Sequence, residues 1–120
     1  MKLKKFEGNP ILSPLKTNDW ESLVTCNPGV IYDNGVFYML YRAAGNDPEH
    51  VIRLGLAISK DGFHFQRVSD QPVFGPSEDG PDSGCVEDPR IVKYGKEFYI
   101  TYAYRPYAPG QYWKFGHDEI

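Results

Sequence analysis

The chain has 120 residues, of which 41% are hydrophobic and 15% aromatic, and its formal net charge at pH 7 is −3. Acidic and basic residues are interspersed, so no basic stripe could follow a nucleic-acid backbone, and no long apolar run predicts a membrane span. No apolar signal region follows the N-terminal lysines, so a secretory signal peptide is not predicted. The two cysteines lack a CxxC spacing, and we expect them to be reduced thiols in a cytoplasmic protein.

The sequence repeats itself with a period of about 61 residues. Residues 9–14 (NPILSP) recur as residues 71–76 (QPVFGP), and the longer string at 28–41 recurs at 89–102 with its proline, Phe-Tyr dipeptide and final tyrosine aligned. Strand-rich strings that repeat at one period indicate stacked β-modules rather than one compact domain. We therefore predict a first module over about residues 9–70 and a second, truncated module over about residues 71–120.

Three predicted hairpins follow in chain order, each with two short strands around a glycine-containing turn. The first turn, Asn34-Gly35, is the strongest of these signals because both residues accept positive φ. Four short strands per repeat are typical of a β-propeller blade, and a five-bladed ring of such modules needs on the order of 300 residues. We thus predict an all-β partial propeller of about two blades; a β-sandwich explains the strands but not the period. The hairpins are residues 30–33 with 36–43, 52–59 with 63–68, and 89–94 with 97–104.

Polar residues lie at the open ends of the first and third hairpins, away from their turns. Counting back from the first turn places Asn27 opposite Arg42, and the same register one module later places Asp88 opposite Ala103. The innermost strands of a propeller start around its central axis. Asn27, Arg42 and Asp88 are therefore expected to converge on one mouth of the ring.

Each candidate also has a purely structural interpretation. Asn27 could form a turn, Arg42 could form a salt bridge between blades, and Asp88 could cap a turn or pair with Arg90. Glu87 could be a second acid or an orienting group. Asp47 could lie on the rim of the same mouth or in a solvated loop. No metal site is expected, because His50, His64 and His117 lack ligand spacing.

The string GCVEDPR at residues 84–90, followed by FYITY at 98–102, resembles glycoside hydrolase family 130. The strings CNPG at 26–29, LYRA at 40–43 and SKDG at 59–62 are similar to that family as well. The resemblance covers nearly the whole chain. It implies a five-bladed propeller with a mannoside-binding site in its central cavity, in a family of β-mannoside phosphorylases and β-1,2-mannosidases.

The resemblance also implies roles for individual residues. The aspartate of the Glu-Asp-Pro-Arg motif, here Asp88, is the general acid in the family, and Asn27 and Arg42 match positions that contact mannose. We add Asp47, Glu87 and Arg90 as expected substrate-binding residues. A carboxylic acid suits proton donation if partial burial raises its pKa, whereas a nearby arginine would favour the ionised form.

The leading hypothesis is therefore a cytoplasmic glycoside phosphorylase that releases mannose 1-phosphate with inversion. Its substrate would be a manno-oligosaccharide or a mannosyl-glucose-type sugar, with inorganic phosphate as co-substrate and no metal or organic cofactor. The alternatives are a β-mannoside hydrolase of the same family and a non-catalytic carbohydrate-binding propeller. An arabinan or fructan glycosidase would need an aspartate where this chain has Asn27. A homo-oligomer is left open.

Overall fold

The computed structural model describes residues 1–111, so the end of the second predicted module, with His117, lies outside the described residues. The prediction of an all-β chain is confirmed, because residues 1–111 form six β-strands and, besides them, only a short 3₁₀ turn at Asp19–Glu21 and three helical residues at 109–111. Within residues 1–111, no helix has the length and apolar character needed to cross a membrane. The strands are β1 (Val24–Asp33), β2 (Val36–Ala44), β3 (Arg53–Ser59), β4 (Gln66–Arg67), β5 (Cys85–Tyr94) and β6 (Glu97–Arg105).

The strands form two antiparallel sheets, one in the order β1-β2-β3-β4 and one made of β5 and β6. The first turn has the expected geometry, with φ of 49° at Asn34 and 83° at Gly35. This conformation matches the right-handed twist of the flanking strands, which is why the dipeptide fixes the hairpin. All three predicted hairpins are present, and the module boundaries at residues 70 and 71 stay a prediction.

The fourth strand is much shorter than predicted. We expected a strand over residues 63–68, but β4 contains only Gln66 and Arg67. The cause is Asp61, whose Oδ1 accepts the backbone N–H groups of Phe63 and His64 at 2.9 and 2.8 Å. A carboxylate that binds these donors keeps them in a turn and out of the strand ladder.

Both inner hairpins contain a β-bulge, and this overturns the predicted register. Gly29 pairs with Leu40, but the next aligned pair is Cys26 with Arg42, so Asn27 does not face Arg42. In β5 it is Glu87, and not Asp88, that pairs with Ala103. One extra residue enters the inner strand of each module, and the prediction, which counted from the turns, had no signal for it.

One face of the four-stranded sheet carries the main hydrophobic core. Trp20 stacks on Tyr41 with ring centroids 6.0 Å apart, and the segment before β1 covers this face. The carboxylate of Glu21, which is fully buried, lies at the edge of this core and binds Arg67. The core residues are Trp20, Met39, Tyr41, Ala43 and Ala57, with Ile11, Leu12 and Phe65 packed against them.

The second sheet packs against the other face of the first. The backbone N–H of Val86 donates to the carbonyl of Ile52 at 3.2 Å, which ties β5 to the start of β3. Leu40 and Leu54 from the first sheet line a cavity together with Ile100 and Tyr102 from the β5–β6 hairpin. This packing brings the bulged ends of β1 and β5 next to each other.

Candidate functional site

The side chains of Asn27, Arg42 and Asp88 meet at the junction of the two sheets. Asp88 Oδ1 accepts a hydrogen bond from Asn27 Nδ2 at 2.9 Å and another from Arg42 Nη1 at 3.0 Å. Asn27 lies on β1, Arg42 on β2 and Asp88 on β5. The structure therefore brings together the three residues that were expected to converge, although the pairing by which we placed them is wrong.

The two bulges explain how the contact forms. Asn27 and Asp88 are each the first unpaired residue of a bulge, and both have a left-handed backbone, with φ of 44° and 52°. Asparagine and aspartate adopt this region more readily than other non-glycine residues, which suits both of them to a bulge. Because the bulges occupy equivalent positions one period apart, each re-aims one polar side chain towards the other.

Gly29 allows the bulged strands to approach each other. A Cβ atom at this position would lie 2.5 Å from the carbonyl oxygen of Pro89 and 3.0 Å from its carbon. Both are backbone atoms, so no flexible side chain could give way. Gly29 was not among the predicted site residues, although it ends the CNPG string at residues 26–29 and lies two residues after Asn27.

We expect Gly29→Ala to destabilise the full-length protein by about 1–3 kcal/mol, because overpacking forces backbone shifts. The shift would separate Asn27 from Asp88, so activity should fall along with stability. Urea unfolding measures the first effect. Gly75→Ala is the matched control, since a Cβ there meets only Arg53 side-chain atoms, at 3.6 Å or more. Equal unfolding free energies for the two variants would contradict the role of Gly29.

Glu87 lies beneath the cluster, with only 4% of its side chain exposed. Its Oε2 is 2.6 Å from Arg42 Nη1, in an ion pair rather than a directed hydrogen bond, and its Oε1 accepts from Arg105 Nε at 2.8 Å. A buried carboxylate needs such cationic partners to offset its lost hydration. Arg105 was not predicted from the sequence; a glutamate buried in a strand is the signal that a cation lies nearby.

The pKa of Asp88 is lowered from its ordinary value. The largest cause is the hydrogen bond from Asn27; desolvation opposes it, and the hydrogen bond and charge of Arg42 add to it. The side chain remains 37% exposed. A general acid would favour a raised pKa, but partial burial does not raise it here. The hydrogen bonds that stabilise the ionised carboxylate outweigh the effect of desolvation. The exposed part of the carboxylate is where a ligand could reach it.

Two further predicted substrate-binding residues lie apart from this contact. Asp47 is in the loop after β2, where its Oδ1 accepts the N–H groups of Glu49 and His50 at 3.0 and 2.9 Å. It lines a separate polar pocket with Trp20. Arg90 is exposed on β5 and donates to the carbonyl of Pro89 at 2.8 Å, while its charge contributes to the lowered pKa of Asp88.

Within the part of the chain that the structure describes, neither the cysteines nor other possible metal ligands form a second functional site. Cys26 and Cys85 are free thiols, and burial raises the pKa of each. Cys26 pairs with Arg42 across the β1–β2 ladder. Between residues 1 and 111, no three His, Cys, Asp or Glu side chains gather where they could hold a metal ion.

Most of the chain is similar to known proteins. A family model described as beta-1,4-mannooligosaccharide phosphorylase, of the Glyco_hydro_130 family, matches residues 2–113. A 1,2-beta-oligomannan phosphorylase of Thermoanaerobacter sp. (strain X514) is 40% identical over 107 residues, covering 85% of this chain and 36% of the relative. A beta-1,2-mannobiose phosphorylase of the same strain is 37% identical over 112 residues, covering 84% and 36%. The chain thus spans about a third of the length of these curated relatives.

Solved structures are similar over the same part. A glycosyl hydrolase from Bacteroides ovatus has a TM-score of 0.69 and 33% identity, over 80% of this chain and 32% of that one. Another similar structure comes from work on GH130 glycoside hydrolases that target beta-1,2 mannosidic linkages in Candida mannan. It has a TM-score of 0.71 and 32% identity, over 82% of this chain and 33% of that one. The similarity therefore includes both phosphorylases and hydrolases.

Proposed function

The chain belongs to glycoside hydrolase family 130, whose members are five-bladed β-propellers, and from this we propose that the full-length protein is a phosphorylase of β-1,2-linked manno-oligosaccharides. The observation that carries the proposal is the partly exposed Asp88 carboxylate, held by Asn27 and Arg42 where the first two modules meet. The names of the two curated relatives support phosphorolysis and the β-1,2 linkage. A mannosyl-glucose-type substrate is the second choice.

The proposed reaction needs one proton donor and one external nucleophile. Asp88 gives its proton to the departing glycosidic oxygen, by way of a sugar hydroxyl in the mechanism that the family implies. A phosphate oxygen attacks the anomeric carbon from the opposite face, so the products are mannose 1-phosphate of inverted configuration and the shortened sugar. Asn27 and Arg42 would orient the mannose beside the acid. This scheme requires no metal or organic cofactor.

Asp88 must gain a proton before it can act, although its pKa is lowered in this structure. Two parts of the proposed reaction favour proton uptake. A sugar over the exposed part of the carboxylate would remove water from it, and a phosphate anion nearby would disfavour a second negative charge; both raise the pKa of a carboxyl group. Binding of the two substrates would thereby prepare the acid.

The test is the dependence of turnover on phosphate. We expect the full-length protein to convert β-1,2-mannobiose to mannose and mannose 1-phosphate only when inorganic phosphate is present, as followed by phosphorus NMR. Added EDTA should leave the rate unchanged. Release of free mannose alone, at a rate independent of phosphate, would contradict phosphorolysis and assign the protein to the hydrolases.

The hydrolase is the second candidate because the similar solved structures include GH130 hydrolases of β-1,2-mannosidic linkages. A carbohydrate-binding propeller without activity would bind the sugar and release no product in either buffer. We also propose a cytoplasmic location, which the two free thiols at Cys26 and Cys85 support.

A further inference from the structure

We propose that Glu87 is a positioning residue, which sets how firmly Arg42 holds the Asp88 carboxylate, and that Arg105 controls Glu87 from the opposite side. The consequence for catalysis rests on the proposed function. The consequence for the ionisation of Asp88 does not, and it can be measured without any turnover.

The geometry shows two carboxylates that share one nitrogen. Arg42 Nη1 is 2.6 Å from Glu87 Oε2 and 3.0 Å from Asp88 Oδ1. Because both carboxylates contact the same nitrogen, a shift of this nitrogen towards Glu87 changes its distance from Asp88, and the charge of Glu87 offsets the attraction of Arg42 for Asp88. The other oxygen of Glu87 accepts from Arg105 Nε at 2.8 Å, so the four side chains form a series of alternating charge, Arg105–Glu87–Arg42–Asp88.

The series runs through the interior and reaches the surface at both ends. The exposed side-chain fraction is 45% for Arg105, 4% for Glu87, 24% for Arg42 and 37% for Asp88. Charges interact more strongly where water is excluded, so the central pair is the most strongly coupled part of the series. Glu87 itself is too deeply buried to contact a substrate. It could influence the reaction only through Arg42 and through its field at Asp88.

Several groups face Asp88 from the elements around it. Cys26 and Asn27 lie on β1, Arg42 on β2, and Glu87 and Arg90 on β5. The side chains of Asn27, Arg42 and Arg90 favour the ionised form of Asp88. The negative charge of Glu87 lies 2.6 Å from Arg42 Nη1 and would act in the other direction, because it offsets the charge of Arg42. We infer that Glu87 keeps Asp88 within reach of protonation.

The test compares Glu87→Gln with Arg105→Gln in the full-length protein. Glu87→Gln keeps the shape of the side chain but removes its charge, so Arg42 is left to Asp88 alone. The pKa of Asp88 should fall by about one unit. Arg105→Gln removes the cation that competes for Glu87, so Glu87 binds Arg42 more strongly and the pKa of Asp88 should rise.

Two measurements would detect these shifts in the pKa of Asp88. The first is a pH titration of the Asp88 carboxyl carbon by NMR, with the signal assigned by its absence in Asp88→Asn. The second is the pH profile of kcat/KM. A general acid works only when protonated, so activity is lost as pH rises through its pKa. The basic limb should therefore move to lower pH in Glu87→Gln and to higher pH in Arg105→Gln.

A merely structural ion pair would lower stability in both variants and leave the titration of Asp88 in place. An unshifted titration, or shifts in the same direction, would therefore overturn the proposal. If Glu87→Gln does not fold, Arg105→Gln decides alone, and an unchanged Asp88 titration in that variant overturns it. Opposite NMR shifts in a protein without phosphorolysis would support the positioning role and reject the proposed function. Lys93→Gln, which breaks the pair of Lys93 with Asp33, is the control for loss of a distant charge.

Discussion

Asp88→Asn is expected to lower kcat of the full-length protein by about 10²–10⁴-fold, the range that a positioned general acid contributes. Asparagine has the shape of aspartate, and its Oδ1 can still accept from Asn27 and Arg42 as the carboxylate does at 2.9 and 3.0 Å. The amide cannot give a proton to a leaving group. Steady-state kinetics should therefore show the loss in kcat, while calorimetry shows sugar binding within a few-fold of the parent.

The matched control is Asp79→Asn, which removes an exposed carboxylate from the loop before β5 and should leave kcat unchanged. A second comparison uses an aryl β-mannoside whose phenolate leaves without protonation. The defect of Asp88→Asn should be much smaller with this substrate, because the missing proton is no longer required. If kcat of the variant on β-1,2-mannobiose stays within a few-fold of the parent value, Asp88 is not the acid.

Glu21→Ala is expected to lower the free energy of unfolding by about 3–5 kcal/mol, the cost of breaking a buried ion pair from one side. Glu21 is fully buried, and both of its oxygens lie 2.9 Å from Arg67 Nε. They also accept from Tyr41 Oη at 3.0 Å and from Asn18 Nδ2 at 2.6 Å. The substitution would leave the guanidinium of Arg67, whose side chain is only 19% exposed, without this counter-charge.

Denaturant unfolding of the full-length protein measures this effect. Glu7→Gln is the control, because the Lys4–Glu7 pair is 3.6 Å long and more than four-fifths exposed on both sides. An exposed pair of this kind contributes at most about 1 kcal/mol. Glu21→Gln should fall between the two, since it keeps hydrogen-bonding atoms and loses only the charge. A Glu21→Ala midpoint close to that of Glu7→Gln would show that the core tolerates the loss.

The sequence predicts the local structure well where a turn determines it. Asn34-Gly35 fixes the first hairpin, because few other residue pairs accept positive φ at two successive positions. The meeting of Asn27 with Asp88 was also predictable, even though the register was wrong. Each module contains the same one-residue bulge, so the error is equal in both copies and the relation between them is kept.

The parts that the sequence did not predict depend on contacts between distant residues. Nothing close to Asn27 in sequence marks the bulge, because the bulge depends on how two strands pair beyond their turn. Glu21 and Arg67 are 46 residues apart, and so are Arg42 and Asp88. The shortening of β4 was closer to prediction, since an aspartate two and three residues before the affected backbone groups is a known turn former.

The matching bulges of β1 and β5 have a consequence for how a repeated fold acquires a single acidic group between its copies. Asparagine and aspartate are nearly identical in shape, so the two copies place side chains of the same shape at equivalent bulges. They differ in one atom, an amide nitrogen against a carboxyl oxygen. Duplication alone would produce a symmetric pair, and this one exchange leaves the pair with a single carboxylate, which accepts a hydrogen bond from its amide counterpart.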